Sequence, residues 1–388
     1  RIALVIERFD AAGGGRERST AQIAAGLARR GHDVTVLCQR GRAPEPPVRL
    51  RELGRRGATR ARRLRIFAED VRAAAKDGRF DVVHATLPVP GCDVYQPRGG
   101  TVPAQAAASL RRRGPVGRLL ARAAAPLNAH RAAMAELETE VVADPRVLLL
   151  AVSEMVAEEF AAHYGRREGV RVVYNGVDVP DPDDPRRADW RQELRFRLGV
   201  GQGDPVFLTV ATNFELKGVQ ETIVAFARWV ASRGDDTGAR LVVVGRDAPE
   251  GYERIAGLRN VGRMVHFVGP TEEVFRYYAA ADACVLLSWY DACSRVCLEA
   301  ARWGIPSITT VFNGAAEVLA SGAGIVVPSP RDARAVAAGL DELADPSRRA
   351  ERSRKCLAAG VRLGMDRHVE ELLAAYAQAR APAARGQA

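Results

Sequence analysis

Short apolar runs alternate along this chain with longer stretches rich in Ala, Leu and Arg. In the first half the runs fall at residues 2–6, 33–38, 81–85, 147–152 and 170–174. In the second half they fall at 206–211, 240–245, 265–268, 283–288, 307–310 and 324–327. Each has strand length, and most carry β-branched residues and end in a turn signal. The stretches between them have the length and composition of helices, among them 17–30, 295–303 and the amphipathic 365–380. Strands alternating with helices predict parallel sheets joined by crossover helices, an α/β class.

Residues 178–185 hold four Asp and three Pro, a composition that fits neither a sheet interior nor a regular helix. This segment reads as an interdomain linker. The expected domains are 1–178 and 179–360, followed by 361–388, a helix whose last residues, 381–388, should fray. A chain of 388 residues with 47% hydrophobic content is ample for two α/β cores. No apolar run approaches the roughly 20 residues of a membrane span. The opening residues read as a strand and not as a signal peptide. Six scattered cysteines (Cys38, Cys92, Cys284, Cys293, Cys297 and Cys356) form no CxxC pair. They suit a reducing, cytoplasmic setting, and no metal site is expected.

Charge adds a preference for anionic partners. The net charge is +10, and the excess is local. Residues 40–65 carry ten arginines against Glu45 and Glu52. Residues 99–135 contain no acid, while Arg111, Arg112, Arg113, Arg118, Arg122 and Arg131 cluster there. Such surfaces attract nucleic acid, acidic lipid or a phosphorylated glycan. A compositional bias toward Arg is the competing reading, since Lys occurs only at 76, 217 and 355.

Five segments carry candidate chemistry. Gly13-Gly14-Gly15 follows the first strand and opens a helix, where backbone amides can meet an anion. The run is not GxGxxG, so dinucleotide binding is not indicated. Asn175-Gly176-Val177-Asp178 is a turn that closes the first half. Lys217, beside Gly218, lies past the first strand of the second half, a good position for meeting a phosphate. Asp291 and Glu299 flank a helix start at Ser294 that Gly304 and Pro306 terminate. Amides at that start suit a diphosphate, and a carboxylate on either side suits sugar hydroxyls. Asn313-Gly314 is again a glycine turn leading into a helix.

These segments, in this order, resemble glycosyltransferase family 4, whose members are retaining enzymes of the GT-B fold. The resemblance covers nearly the whole chain. Asp291-x7-Glu299 resembles the family's E-x7-E motif, and Asn175-Gly176-Val177-Asp178 its NGVD turn. Phe214-Glu-Leu-Lys217-Gly218 resembles its phosphate-binding lysine loop. The Gly14-Gly15 loop, Arg30-Gly31-His32-Asp33-Val34 and Asp93-Val94-Tyr95 are most similar to the subgroup of lipopolysaccharide core glucosyltransferases. The resemblance implies two Rossmann-like domains with parallel sheets facing a central cleft.

It also implies roles for single residues. Lys217 binds the donor diphosphate, helped by Arg246, and Glu299 holds the ribose. Asp291 meets the donor sugar. The amides of Ser294, Arg295, Val296, Gly14 and Gly15 cradle phosphate and sugar, and the main chain at Phe267 and Val268 reads the base. Three departures stand out. Asp291 is one methylene shorter than the family's glutamate. Leu216 replaces a basic residue, which leaves Arg246 to share the phosphate charge. Arg98 stands where a catalytic histidine is usual, with His84 as the weaker candidate.

The expected activity is transfer of a hexose, such as glucose from UDP-glucose, to a glycan or lipid-linked glycan without a metal. The implied partners are a nucleotide-sugar donor and a glycolipid acceptor. Peripheral contact with an anionic inner membrane through residues 99–135 is also expected. Two other classes compete. A nucleotide-sugar epimerase or a phosphorylase would want more carboxylates and histidines, or a pyridoxal lysine. A nucleic-acid-binding protein would want interleaved aromatics, and these are only 6% of the chain.

Overall fold

The chain in the computed structural model forms two compact units, one built on Arg1–Gly176 with Gly364–Ala388 and the other on Val177–Leu363. The structure describes all residues except 11–12, 44, 78–79, 125–127, 202, 234–236 and 381–388. The terminal stretch expected to fray lies outside the described residues.

The first unit contains β1 (Ile2–Val5), β2 (Arg8–Phe9), β3 (Val34–Cys38), β4 (Arg40–Gly41), β5 (Arg49–Glu52), β6 (Val82–Ala85), β7 (Val94–Tyr95), β8 (Leu148–Ala151) and β9 (Val170–Val172). Its helices are α1 (Gly15–Arg29), α2 (Arg60–Lys76), α3 (Val102–Arg111), α4 (Pro115–Ala124), α5 (Ala129–Ala143) and α6 (Glu154–Tyr164). Seven strands form one parallel sheet in the order β5-β3-β1-β6-β7-β8-β9, and β2 pairs separately with β4. The strand order reverses between β1 and β6.

The second unit contains α7 (Arg186–Arg197), β10 (Val206–Ala211), α8 (Val219–Arg233), β11 (Arg240–Gly245), α9 (Glu250–Leu258), β12 (Val265–Gly269), α10 (Val274–Ala280) and β13 (Ala283–Leu286). It continues through α11 (Arg295–Arg302), β14 (Ser307–Thr310), α12 (Ala316–Leu319), β15 (Ile325–Val327), α13 (Ala333–Ala344) and α14 (Pro346–Gly360). Its sheet is parallel, in the order β12-β11-β10-β13-β14-β15. Alternate residues of β10 enter different cores. Phe207 packs with Phe226 and Trp229, whereas Leu208 packs with Cys284 and Trp303. Burial on both faces explains why these strands read as continuous apolar runs.

The last helix, α15 (Met365–Arg380), returns to the first unit. Met365, Val369, Leu372 and Tyr376 join the core formed by Ile2, Leu4, Ile23, Leu27 and Val36. Helix α1 meets α15 at Gly26, where an added Cβ would lie 2.7 Å from Val369 Cγ2. Only a residue without a side chain lets the two helices approach so closely.

Two expectations need correction. The chain crosses between units at Gly176 and again at Leu363, not at 178 and 360. Residues 178–185 also do not form a free linker, because they belong to the second unit. Trp303 Nε1 donates to the Pro180 carbonyl at 2.7 Å, and the Arg187 guanidinium lies 5.0 Å from the centre of the Trp303 ring. A buried indole N–H needs an acceptor, and this segment provides it.

Candidate functional site

In the second unit, β10 and β13 are the first and fourth strands of the sheet and lie side by side. Their shared C-terminal edge is the topological switch point, where open α/β sheets leave a crevice for ligands. Lys217 arrives there from β10 and Asp291 from β13.

The lysine loop is set by its own backbone. Asn213 accepts from the amides of Leu216, through Oδ1 at 2.8 Å, and of Lys217, through its carbonyl at 3.0 Å. Gly218 has φ +66°, and a Cβ there would sit 2.2 Å from the Leu287 carbonyl oxygen. Both the angle and the space demand glycine. The Trp289 amide then donates to Leu216 O at 2.9 Å, tying the loop to the end of β13. This places Lys217 Nζ in an ion pair with Asp291.

Asp291 is held by main-chain bonds to the loop after β14. Its amide donates to Phe312 O at 2.9 Å, and its carbonyl accepts from Gly314 N at 2.9 Å. Asn313, 1% exposed, organises the turn. Its Oδ1 accepts from Ser294 N and Ala315 N at 3.1 Å, and its Nδ2 donates to Thr309 Oγ1 at 2.8 Å. Ser294 stands at the N-cap of α11, but its hydroxyl makes no capping bond. Ser294 is therefore the N-cap by position only, and Asn313 ties the helix start to the turn after β14 by accepting from the amide of Ser294 itself. The amides of the first turn, including those of Arg295 and Val296, have no acceptor within the helix and carry its positive pole.

Glu299 lies one turn further along. Its Oε1 is 3.5 Å from Arg295 Nη2, and its Oε2 is 3.3 Å from the Tyr278 hydroxyl. Burial pushes the Tyr278 phenol well above its usual range, so it stays a donor. Arg246 is exposed at the end of β11. Phe267 in β12 packs against the Phe214 ring, and the register slips at Val268, which faces no residue of β11. Such a bulge frees main-chain groups for other partners.

The structure therefore brings Lys217, Asp291, Ser294, Arg295, Val296 and Glu299 together around the start of α11. Arg246, Phe267 and Val268 lie further along the same sheet edge. Gly14, Gly15, His84 and Arg98 belong to the first unit. There, Gly14 is the N-cap of α1 and Gly15 its first residue. His84 lies inside the first unit. It is 1% exposed within β6, and its Nδ1 pairs with the Tyr376 hydroxyl of α15 at 2.7 Å. Burial, with Arg98 adding to it, pushes its pKa down to about 3, so it stays neutral. Arg98 is committed locally. Its Nη2 donates to Ser19 Oγ at 2.5 Å and to Asn175 Oδ1 at 2.8 Å, joining α1 to the turn that ends the unit.

Sequence reasoning missed Tyr278 and the pair of Trp289 and Arg331, whose guanidinium lies 4.9 Å from the centre of the indole ring. It noted Asn313 only as a turn former. An Asn one strand beyond the motif was the available signal for its role.

Comparison with known proteins assigns both units to one class. A model described as Glycosyltransferase Family 4 matches residues 13–180, and one described as Glycosyl transferases group 1 matches residues 191–356. Lipopolysaccharide glucosyltransferase WaaG of Escherichia coli K12 is 27% identical over 320 residues, which are 82% of this chain and 82% of that protein. The crystal structure of WaaG, a glycosyltransferase involved in lipopolysaccharide biosynthesis, superimposes with a TM-score of 0.79 at 23% identity. That superposition covers 96% of this chain and 98% of WaaG. Anabaena Alr3699/HepE, solved with UDP and glucose, gives a TM-score of 0.70 at 18% identity, over 96% of this chain and 99% of that one.

Proposed function

The chain belongs to the glycosyltransferases of family 4, and on that premise we propose that it is a retaining enzyme moving a hexose from a nucleoside-diphosphate sugar to a glycan. We take the donor to be UDP-glucose or a close analogue. The acceptor is a lipid-linked glycan such as lipopolysaccharide core. One observation carries this reading: Lys217 and Asp291 meet at the switch point beside the amide end of α11, with Glu299 one turn away. WaaG is a lipopolysaccharide glucosyltransferase and HepE was solved with UDP and glucose, which supports the choice of sugar and nucleotide.

The reaction breaks the bond between the sugar's anomeric carbon and the diphosphate oxygen. Negative charge grows on that oxygen, and catalysis consists largely of meeting it with positive charge already in place. Lys217, Arg246 and the first-turn amides of α11 take the diphosphate. Asp291 gives up its ion pair with Lys217 and accepts hydrogen bonds from sugar hydroxyls. Glu299 accepts from the ribose. The departing phosphate helps remove the acceptor's proton on the face it leaves, so no dedicated protein base is required. The charge supplied by these groups lets the reaction run without a metal.

We place the enzyme in the cytoplasm, at the inner face of the membrane. Support for this comes from α4, where Val116, Leu119 and Leu120 are 72%, 70% and 64% exposed and Arg113 and Arg118 lie beside them. No helix among the described residues is long and apolar enough to cross a membrane.

The test is a screen of UDP-, GDP- and ADP-sugars for donor hydrolysis, with and without EDTA. One UDP-hexose should be hydrolysed best, and EDTA should leave the rate unchanged. Lys217→Ala and Glu299→Ala should each weaken donor binding about tenfold or more, the loss expected for a charge-assisted contact. Normal binding by either variant would remove its assigned role, and hydrolysis of none of the donors would overturn the activity.

A further inference from the structure

The first unit holds an arginine cluster that the donor site does not use. Past the ends of β1 and β3, Arg8–Phe9 pairs with Arg40–Gly41 in parallel, with Arg8 opposite Arg40. Flanking bonds fix this short ladder, from Gln39 N to Glu7 O at 3.0 Å and from Arg42 N to Phe9 O at 2.8 Å. Phe9 is fully buried beneath it. Gly41 keeps the ladder close, because a Cβ there would lie 3.0 Å from Cys38 Sγ and 3.1 Å from Phe9 O. Like charges placed directly opposite one another destabilise a sheet pair. An anion bound beside the two guanidiniums would relieve their repulsion.

A cavity of about 700 Å³ opens at this ladder, and Arg8, Arg16, Arg40, Arg42 and Arg55 line it along with Glu7, Asp10 and Glu17. Five guanidiniums thus face three carboxylates. The nearest ion pair is loose, Arg8 to Asp10 at 3.7 Å. Among the described residues, Arg16, Arg40, Arg42 and Arg55 form no ion pair. Some surface arginines elsewhere on this unit are paired, as Arg49 is with Asp33, Arg56 with Asp70, Arg65 with Glu136 and Arg72 with Glu140.

A second cavity of about 330 Å³ adjoins the first and shares Glu7 and Arg16 with it. It opens at the ends of β1 and β6, the switch point of the first sheet, and mixes Leu87 and Met134 with Thr86, Gln105 and His130. Mixed apolar and polar lining suits a sugar ring, which has apolar faces and hydroxyl edges.

We propose that the arginine cavity is a subsite for a phosphoryl group on the acceptor, with the adjoining cavity taking the sugar that carries it. This rests on the transferase reading above. A phosphomonoester offers three oxygens and nearly two charges, which several guanidiniums can share through paired N–H bonds. The cavity selects acceptors by that group.

The experiment titrates the full chain with mannose 6-phosphate, mannose and inorganic phosphate, and in parallel with a UDP-sugar. The sugar phosphate should bind at least tenfold more tightly than the unphosphorylated sugar. The double variant Arg40→Gln/Arg42→Gln should lose most of that preference, and Arg55→Gln alone part of it. The control Arg65→Gln, which removes an ordinary surface pair, should keep it. Circular dichroism confirms that each variant is folded, and the single variant serves if the double one is not. Equal affinity for mannose and its phosphate overturns the proposal. So does a loss confined to vesicles of phosphatidic acid, which would assign the arginines to a lipid headgroup. Stronger competition by a single-stranded oligonucleotide would do the same. Sugar-phosphate binding without UDP-sugar binding would instead overturn the donor reading and leave this subsite standing.

Discussion

Lys217 and Asp291 are each about one-sixth exposed, 18% and 16% by side chain, so both charges are partly desolvated before any donor arrives. Removing one partner from such a pair strands the other, and the pair is better seen as a placeholder than as a source of stability. Its value lies in holding the ammonium where a phosphate can replace the carboxylate. The rarity of lysine in this chain made that residue legible, and the spacing from Asp291 to Glu299 did the same for the helix. His84 was not legible, because its partner Tyr376 lies 292 positions away. Only the folded chain shows that its ring is enclosed. This burial has a pH signature. An unfolded histidine takes up a proton below about pH 6.5, whereas the folded His84 resists until about pH 3. His368, also buried and adjoining Tyr174 O, is depressed in the same direction. Between those limits the unfolded state binds more protons at His84, so stability falls as pH falls, by about 1.4 kcal/mol per pH unit, and His368 acts in the same direction. Urea unfolding at pH 7 and pH 5 should show this loss, and His84→Gln should reduce the slope. An unchanged slope would mean that the imidazole is not enclosed.

Helix α4 follows different rules from the helices around it. Val116, Leu119 and Leu120 sit at i, i+3 and i+4, one face of a helix, yet that face is turned to solvent. An interfacial helix presents such a face to lipid with basic residues alongside, each basic residue adding about 1 kcal/mol on an anionic surface. The full chain should therefore sediment with vesicles containing phosphatidylglycerol at low salt and release at high salt. The pair Leu119→Glu/Leu120→Glu should weaken that binding about tenfold or more. Indifference of the unaltered chain to anionic vesicles would sink the membrane assignment. The sequence showed that residues 99–135 are basic, but not that an apolar helix face lies free within them. Other elements escaped the sequence for related reasons. The edge strand β5 reads Arg-Leu-Arg-Glu and has no apolar run, while β2, β4 and β7 are two residues each. Their pairing comes from neighbours and not from local propensity. Strands buried on both faces, such as β10 and β11, were plain.

At the scale of the molecule, the order of elements was legible but the closure of the first unit was not. Periodicity marked 365–380 as an amphipathic helix, and only the fold shows that its apolar face completes the first core. Burying Met365, Val369, Leu372 and Tyr376 contributes roughly 1.5–3 kcal/mol each as an upper estimate, or about 6–12 kcal/mol together. That is comparable to the whole stability of an ordinary domain. Among the described residues, the two core clusters of the second unit contain no residue of α15. A chain shortened to end at Gly364 should therefore lose the first unit, while residues 177–363 keep a cooperative transition. Limited proteolysis should cut residues 1–176 of the shortened chain quickly and spare the second unit. In the intact chain, Leu372→Ala should cost about 2–5 kcal/mol in the first transition alone. If the shortened chain resisted proteolysis throughout residues 1–176, the terminal helix would be an accessory and not the last piece of that core.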